Sequence, residues 1–218
     1  MRLLLASQGI TNKSIGKAFF DLVGKKAAEI TVAFIPTAVY GASTVNKSWM
    51  VDNIISLHNL GIGKIDIVEP LAMPKEMWLP RLERADVIFV EGGSPIWAHD
   101  AFEKTGFLAA LPKLLEDKVY VGCSTGSMLL GEMVVSSKKT EFPDGTLEFK
   151  NFHGLGLVHF SIRPHFYRPD KADFTEKMVA DLAKKYDTRY YAIDDDTALL
   201  VDGDKFEVIS EGKWKEFK

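Results

Sequence analysis

The sequence predicts an α/β fold built on a parallel sheet with helices over both of its faces. Three observations carry this. Short runs that are apolar on both faces, such as Leu3–Ser7, Ile30–Pro36 and Val87–Val90, recur through the first half of the chain. Amphipathic segments of helical length stand between them. Two of the runs end in glycine-rich turns, Gly92-Gly93 and Gly122-Cys123-Ser124-Thr125-Gly126. A strand with no polar face must be covered on both sides, and parallel strands joined through helices achieve that.

The elements follow in order. Leu3 to Ser7 suits a buried first strand. Thr11 or Asn12 can cap a helix that places Ile15, Ala18, Phe19, Leu22 and Val23 on one face and stops at Gly24. Ile30 to Pro36 is rich in β-branched residues and closed by proline, so it reads as the second strand. Ser43 can cap a longer helix carrying Met50, Ile54 and Leu57 inward and ending at Gly61. Lys64 to Val68 reads as the third strand, Lys75 to Arg84 as a helix, and Val87 to Val90 as the fourth strand, running into Glu91-Gly92-Gly93-Ser94. A helical stretch from about Pro95 to Leu115 leads to the fifth strand, Val119 to Val121, and a further helix is compatible with Thr125 to Gly131.

Beyond that point the pattern changes. Thr140 to Phe152, with Pro143-Asp144-Gly145, reads as a polar, turn-rich loop. Gly154 to Phe166 reads as a strand, and Asp170 can cap a helix bearing Phe174, Met178, Leu182 and Tyr186. Arg189 to Ile193 is a strand running into Asp194-Asp195-Asp196. Thr197 to Ile209 reads as a hairpin turning at Asp202-Gly203-Asp204.

Composition narrows the function classes. The 218 residues support one sizeable core, and no linker-like stretch divides them, so the chain reads as a single domain over residues 1–218. Apolar residues make up 46% and charged residues 26%, an ordinary globular mix. A net charge of −3 gives no electrostatic reason to expect nucleic acid or an anionic membrane. Lys138-Lys139 and Lys184-Lys185 read as solvated surface. The single cysteine excludes an internal disulfide and all-cysteine metal sites. The apolar run at the amino terminus is short for a signal peptide, and no stretch approaches the ~20 apolar residues of a membrane helix. The expectation is a cytoplasmic protein; monomer and homodimer both stay open.

Chemistry concentrates at Gly122-Cys123-Ser124-Thr125-Gly126. A strand that turns at once into a helix passes through a strained backbone, where glycines on either side avoid clashes. Such a turn lifts Ser124 to the sheet edge and aims the first helical amides at whatever the serine attacks. G-x-S-x-G also arises in ordinary glycine-rich turns, but here strand and helix flank it as a nucleophile elbow requires. A cysteine nucleophile with glycines two residues to either side would need them at 121 and 125, where Val121 and Thr125 stand, so Cys123 reads as a small buried residue.

A serine nucleophile needs a base, and the base an orienting acid. Of His58, His99, His153, His159 and His165, the last sits at the carboxyl end of a strand, on the edge where ligands of such sheets gather. A base and a plain structural histidine both fit His165 from its position alone. His58 reads as surface, and His99 could approach the site from the segment after Gly92-Gly93. For the acid, Asp194-Asp195-Asp196 closes another strand; a solvated turn is the ordinary reading for two of the three. No H-E-x-x-H, His-x-His or EF-hand pattern is present, so no metal is expected.

These segments together resemble the S51 serine peptidases, the family of dipeptidase E and the cyanophycinases. The resemblance rests on Gly122-Cys123-Ser124-Thr125-Gly126, Pro164-His165-Phe166 and Ile193-Asp194-Asp195-Asp196-Thr197-Ala198-Leu199, with Phe34-Ile35-Pro36-Thr37-Ala38 and Gly92-Gly93 in similar places. It implies a flavodoxin-like three-layer α/β/α sandwich with a mostly parallel sheet, of the class I glutamine amidotransferase kind. It implies Ser124 as nucleophile, His165 as base and Asp195 at the position of the family's acid, which is usually a glutamate. The amides of Gly93 and Thr125 would form the oxyanion hole. Ser94 stands where the family often has asparagine, and Thr125 where it usually has alanine. Ser94 and Arg168 are the candidate substrate contacts, with Lys171 and Glu91 as further charged groups.

The resulting expectation is a serine-type peptidase acting on small peptides without metal or organic cofactor. Two rivals remain at this level: an esterase-like hydrolase on the same elbow, and a non-catalytic binding protein that keeps the fold.

Overall fold

A computed structural model describes residues 1–43, 45–136, 140–141, 147–148, 151–169 and 175–218. Strand β1 (Arg2–Ala6) is followed by helix α1 (Lys13–Val23), in which the Asn12 side chain accepts the Ile15 amide at 3.0 Å and Gly24 closes the last turn with φ 68°. Asn12, of the two expected candidates, is therefore the cap. After β2 (Thr31–Ile35) the chain makes a single helical turn, α2 (Thr37–Tyr40). The next helix, α3 (Ser48–Asn59), starts four residues later than a cap at Ser43 would have started it. The Asn46 side chain, not Ser43, meets its first amide, at 2.9 Å. Strand β3 (Lys64–Ile67), helix α4 (Lys75–Arg84) and strand β4 (Val87–Val90) fall where the sequence places them. The helical stretch after β4 is two helices, α5 (Pro95–Thr105) and α6 (Phe107–Leu114), because Gly106 adopts φ 76° and ends the first.

Strand β5 (Val119–Cys123) enters a helix of one turn, α7 (Thr125–Met128), shorter than expected, and then β6 (Met133–Val135). Thr140–Glu141 (β7) and Leu147–Glu148 (β8) pair antiparallel within the stretch expected to be loop; Pro143-Asp144-Gly145 lies outside the described residues, as do Lys138, Lys139, Asp170, Lys171 and Phe174. Of the strand expected from Gly154 to Phe166 only β10 (Ser161–Arg163) forms, and a short strand, β9 (Asn151–His153), precedes it. Between them the amides of Gly154, Leu155, Gly156 and Leu157 donate to the carbonyls of Glu132, Leu129, Gly131 and Leu130, so they are committed to the elbow segment and not to a neighbouring strand. Helix α8 (Glu176–Tyr186), capped by Thr175, leads to β11 (Tyr190–Ile193), the hairpin β12 (Thr197–Asp202) and β13 (Lys205–Ser210), and β14 (Trp214–Phe217), which the sequence reading missed.

The seven-stranded sheet has the order β13-β12-β1-β5-β4-β2-β3. Its five strands from β1 to β3 are mutually parallel, with β12 antiparallel to β1. Successive strand residues face opposite sides. Leu4, Phe34 and Val121 pack with Ile15 and Phe19 of α1 and Leu57 of α3 on one side. Leu5, Ile35 and Val90 pack with Trp78 of α4, Phe102 of α5 and Phe107 of α6 on the other. Leu3, Leu4 and Leu5 are all 0% exposed. Burial of each such side chain is worth ~1.5–3 kcal/mol, which fixes the register, since a one-residue slip would exchange the two sides. A second sheet, β10-β11-β14, is covered by α8 through Val179 and Ala183. Among the described residues no helix is long and apolar enough to cross a membrane.

Candidate active site

The parallel strands deliver their carboxyl ends to one edge, and the elbow lies there. Ser124 adopts φ 49° and ψ −105° at the head of α7, a conformation that costs a residue with a side chain ~1–3 kcal/mol. The surroundings over-determine it. The Ser124 amide donates to the Ala6 carbonyl at 3.0 Å, the Ser127 hydroxyl donates to the same oxygen at 2.7 Å, and the buried Tyr120 hydroxyl donates to the Gly126 carbonyl at 2.6 Å. The flanking glycines have distinct reasons. A Cβ at Gly122 would stand 2.6 Å from the Ser127 nitrogen, and one at Gly126 would run into the Val90 carbonyl.

His165 and Asp195 arrive from the smaller sheet. Strands β10 and β11 are parallel neighbours, and the chain leaves both at the same end. His165 Nε2 lies 2.9 Å from Ser124 Oγ, and His165 Nδ1 lies 2.6 Å from Asp195 Oδ1. Burial alone would push the Asp195 carboxyl up. The His165 hydrogen bond and charge, the Ser7 hydroxyl and the Arg168 guanidinium outweigh it and hold the group below its usual value. Arg168 Nη1 donates to Asp195 Oδ2 at 3.2 Å, so this candidate substrate contact also holds the Asp195 carboxylate. Of the three aspartates, Asp194 accepts from Thr197 and from backbone amides, which makes it part of the turn. His58, His153 and His159 are exposed, and His99 packs its ring against Phe152 at 4.5 Å.

Ser7 was not singled out by the sequence. It directly follows β1, is 0% exposed, donates to Asp195 Oδ1 at 2.8 Å and accepts the His165 amide at 2.8 Å. Its signal was present but faint: a serine closing an apolar strand at the edge where ligands gather.

The other side of Ser124 is formed by the turn after β4. Gly93 has φ 146°, and a Cβ there would run into the Ala38 carbonyl. The Thr125 hydroxyl donates to the Gly93 carbonyl at 2.8 Å, so the two residues whose amides were expected to receive an oxyanion are tied together. Ser94 is 5% exposed, and its hydroxyl accepts the Trp97 amide at 3.3 Å as the cap of α5. Behind the turn, Glu91 is fully buried, accepting the Gly92 backbone amide at 2.6 Å and the Asn53 side-chain Nδ2 at 2.8 Å. Burial pushes its carboxyl up, against the lowering effect of Gly92, Asn53 and Cys123. Burial also pushes the Cys123 thiol well up, so it is not the thiolate a nucleophile would require. No group of three or more metal-ligating side chains occurs among the described residues.

The arrangement can pass a proton from Ser124 Oγ to His165 Nε2 while a carboxylate faces the other ring nitrogen, the geometry for attack on an acyl carbon. Comparison with known proteins agrees in kind. The model of "Peptidase family S51" matches residues 3–209. Peptidase E of Streptomyces coelicolor is 31% identical over 94% of this chain and 82% of its own length. An uncharacterized peptidase of Listeria monocytogenes is 27% identical over 79% of this chain and 82% of its own. Among solved structures, a putative peptidase E protein from Listeria monocytogenes superposes with a TM-score of 0.76 at 20% identity, covering 97% of this chain and 98% of that one. A peptidase from an acI-B1 Actinobacterium superposes with a TM-score of 0.68 at 21% identity, covering 98% and 88%. The mixed α/β fold with a large, mostly parallel sheet is thus shared with peptidase E structures.

Proposed function

This chain belongs to peptidase family S51, and from that premise we propose that it is a cytoplasmic serine peptidase of the dipeptidase E type, hydrolysing small peptides through Ser124, His165 and Asp195. The observation that carries the reading is the continuous line from Ser124 Oγ through His165 Nε2 and Nδ1 to Asp195 Oδ1, at 2.9 and 2.6 Å. In the mechanism, His165 takes the Ser124 proton as the oxygen attacks the peptide carbonyl. Asp195 holds the imidazole in the tautomer with its proton on Nδ1 and stabilises the imidazolium. The Gly93 and Thr125 amides receive the negative charge that develops on the carbonyl oxygen. His165 then protonates the departing amine, and water, deprotonated by the same nitrogen, releases the acyl group and regenerates Ser124. No metal or organic cofactor enters.

In this reading the chain is one domain over residues 1–218, a flavodoxin-like three-layer sandwich of the class I glutamine amidotransferase kind, and its partner is a small peptide, not nucleic acid or a membrane. Arg168, beside Asp195, and Ser94, in the turn after β4, are the proposed substrate contacts. A dipeptide library incubated with wild type and Ser124→Ala tests the proposal. Turnover of some dipeptides by wild type and none by the variant supports it. Rapid ester hydrolysis with no dipeptide cleaved would overturn the peptidase assignment.

A further inference from the structure

Ser124 stands on the large sheet, His165 follows a strand of the small one, and Asp195 lies in the turn that joins β11 of the small sheet to β12 of the large. Alignment of the three therefore depends on what fastens the sheets together at this edge. A buried serine ordinarily satisfies its hydroxyl on a nearby carbonyl, as Ser127 of α7 does on Ala6 at 2.7 Å. Ser7 differs. It has one hydroxyl proton to give, and that proton goes to Asp195 Oδ1 at 2.8 Å. Its lone pair takes the His165 amide proton, also at 2.8 Å. The backbone of Ser7 is held in the large sheet, its amide donating to the Thr197 carbonyl at 3.2 Å.

His165 gives this contact a second meaning. Its φ of 58° lies in the left-handed region that disfavours a residue with a side chain, and the Ser7 hydroxyl is the acceptor for the amide displayed in that conformation. With the Ser7 proton committed to Asp195, the oxygen presents only a lone pair toward His165 Nδ1, 3.5 Å away. That favours a proton on Nδ1 and leaves Nε2 free to accept from Ser124.

We propose that Ser7 is a positioning residue of the catalytic apparatus, its single hydroxyl clamping the acid and the backbone of the base to the sheet that carries the nucleophile. The inference rests on the reading of Ser124, His165 and Asp195 as the triad. It goes beyond that reading by assigning a fourth residue that touches neither substrate nor the reacting oxygen.

The test is labelling by a small dialkyl fluorophosphate, in which Ser124 Oγ attacks phosphorus, fluoride leaves and His165 takes the proton. Ser7→Ala lowers the maximal labelling rate at saturating probe by ~10- to 100-fold, as for a catalytic group displaced by a fraction of an ångström, with probe affinity unchanged. If Ser7→Ala does not fold, Ser7→Cys, which keeps the shape with a slightly larger atom but donates weakly, shows the same fall. In an Asp195→Asn background the same replacement costs less than in wild type, because the carboxylate it holds is already gone. A folded Ser7 variant that labels at the wild-type maximal rate overturns the inference, as does an equal cost in both backgrounds. If folded wild type is not labelled on Ser124, the triad reading falls and this inference with it, an outcome distinguished by its appearance before any Ser7 substitution is made.

Discussion

Arg163 of β10 and Ala192 of β11 are register partners in a parallel pair. His165 and Asp195 follow them by two and three residues, so both leave the small sheet at the same edge, and the 2.6 Å contact between them is a consequence of that register. His165 and Asp195 are placed together by the small sheet, and Ser124 reaches them from the large one, which the chain enters two residues after Asp195.

Asp195→Asn therefore tests electrostatics with little change of shape. The amide offers one oxygen where Ser7 and His165 both meet the carboxylate at Oδ1, and it carries no charge to stabilise an imidazolium. The expected result is a loss of ~10³- to 10⁴-fold in the rate of Ser124 labelling, the scale seen when the acid of a serine triad is replaced by its amide. Thermal melts should show the variant folded. Labelling within ten-fold of wild type would mean that Asp195 does not act on the base.

The elbow was legible in the sequence because its constraints are local. Gly122 and Gly126 are required by backbone within one turn of chain and by the adjacent strand, and such requirements leave a motif. The strands of the large sheet were legible because they are buried on both faces. The small sheet was less so. Gly154 to Val158 looks like a strand by composition, but its amides bond to Glu132, Leu129, Gly131 and Leu130, a choice made by tertiary contact. Strand β14 carries exposed Trp214 and Lys215 and only a partial alternation, so nothing in Trp214–Phe217 marks it. Ser7 had no motif at all. Its role comes from residues 158 and 188 positions away.

The depressed Asp195 carboxyl has a consequence for stability. A carboxyl with a lower pKa in the folded state adds stability that is present above its unfolded value, ~3.9, and lost as the pH falls through the folded value. Denaturation of wild type and Asp195→Asn across a pH series should show the advantage of wild type shrinking below pH ~4. An advantage independent of pH would place the contribution of Asp195 in packing alone.

Glu91 has the opposite sign. Burial raises its folded-state pKa, so its contribution is fully present below the unfolded value of ~4.3 and lost as the pH rises through the raised one. Glu91→Gln keeps an acceptor for the Gly92 amide without a titrating group. The variant should gain melting temperature relative to wild type as the pH rises from ~4 toward neutrality. A constant difference across that range would show that Glu91 does not change its charge there.

Two glycines separate steric from conformational demands. Gly24 has φ 68° with nothing within 4 Å of the place a Cβ would take, so Gly24→Ala meets only the cost of a left-handed backbone, ~1–2 kcal/mol. Gly126 lies in α7 without a positive φ, but an added methyl would run into the Val90 carbonyl, and Val90 is held in the centre of the sheet between β2 and β5. Neither partner can yield without moving Ser124 or the Gly92-Gly93 turn that follows β4. Gly126→Ala should therefore lose at least ~2 kcal/mol by overpacking and lose Ser124 labelling with it, whereas Gly24→Ala keeps full labelling. Equal labelling in the two variants would show that the elbow tolerates displacement and that its backbone geometry is not what activates the serine.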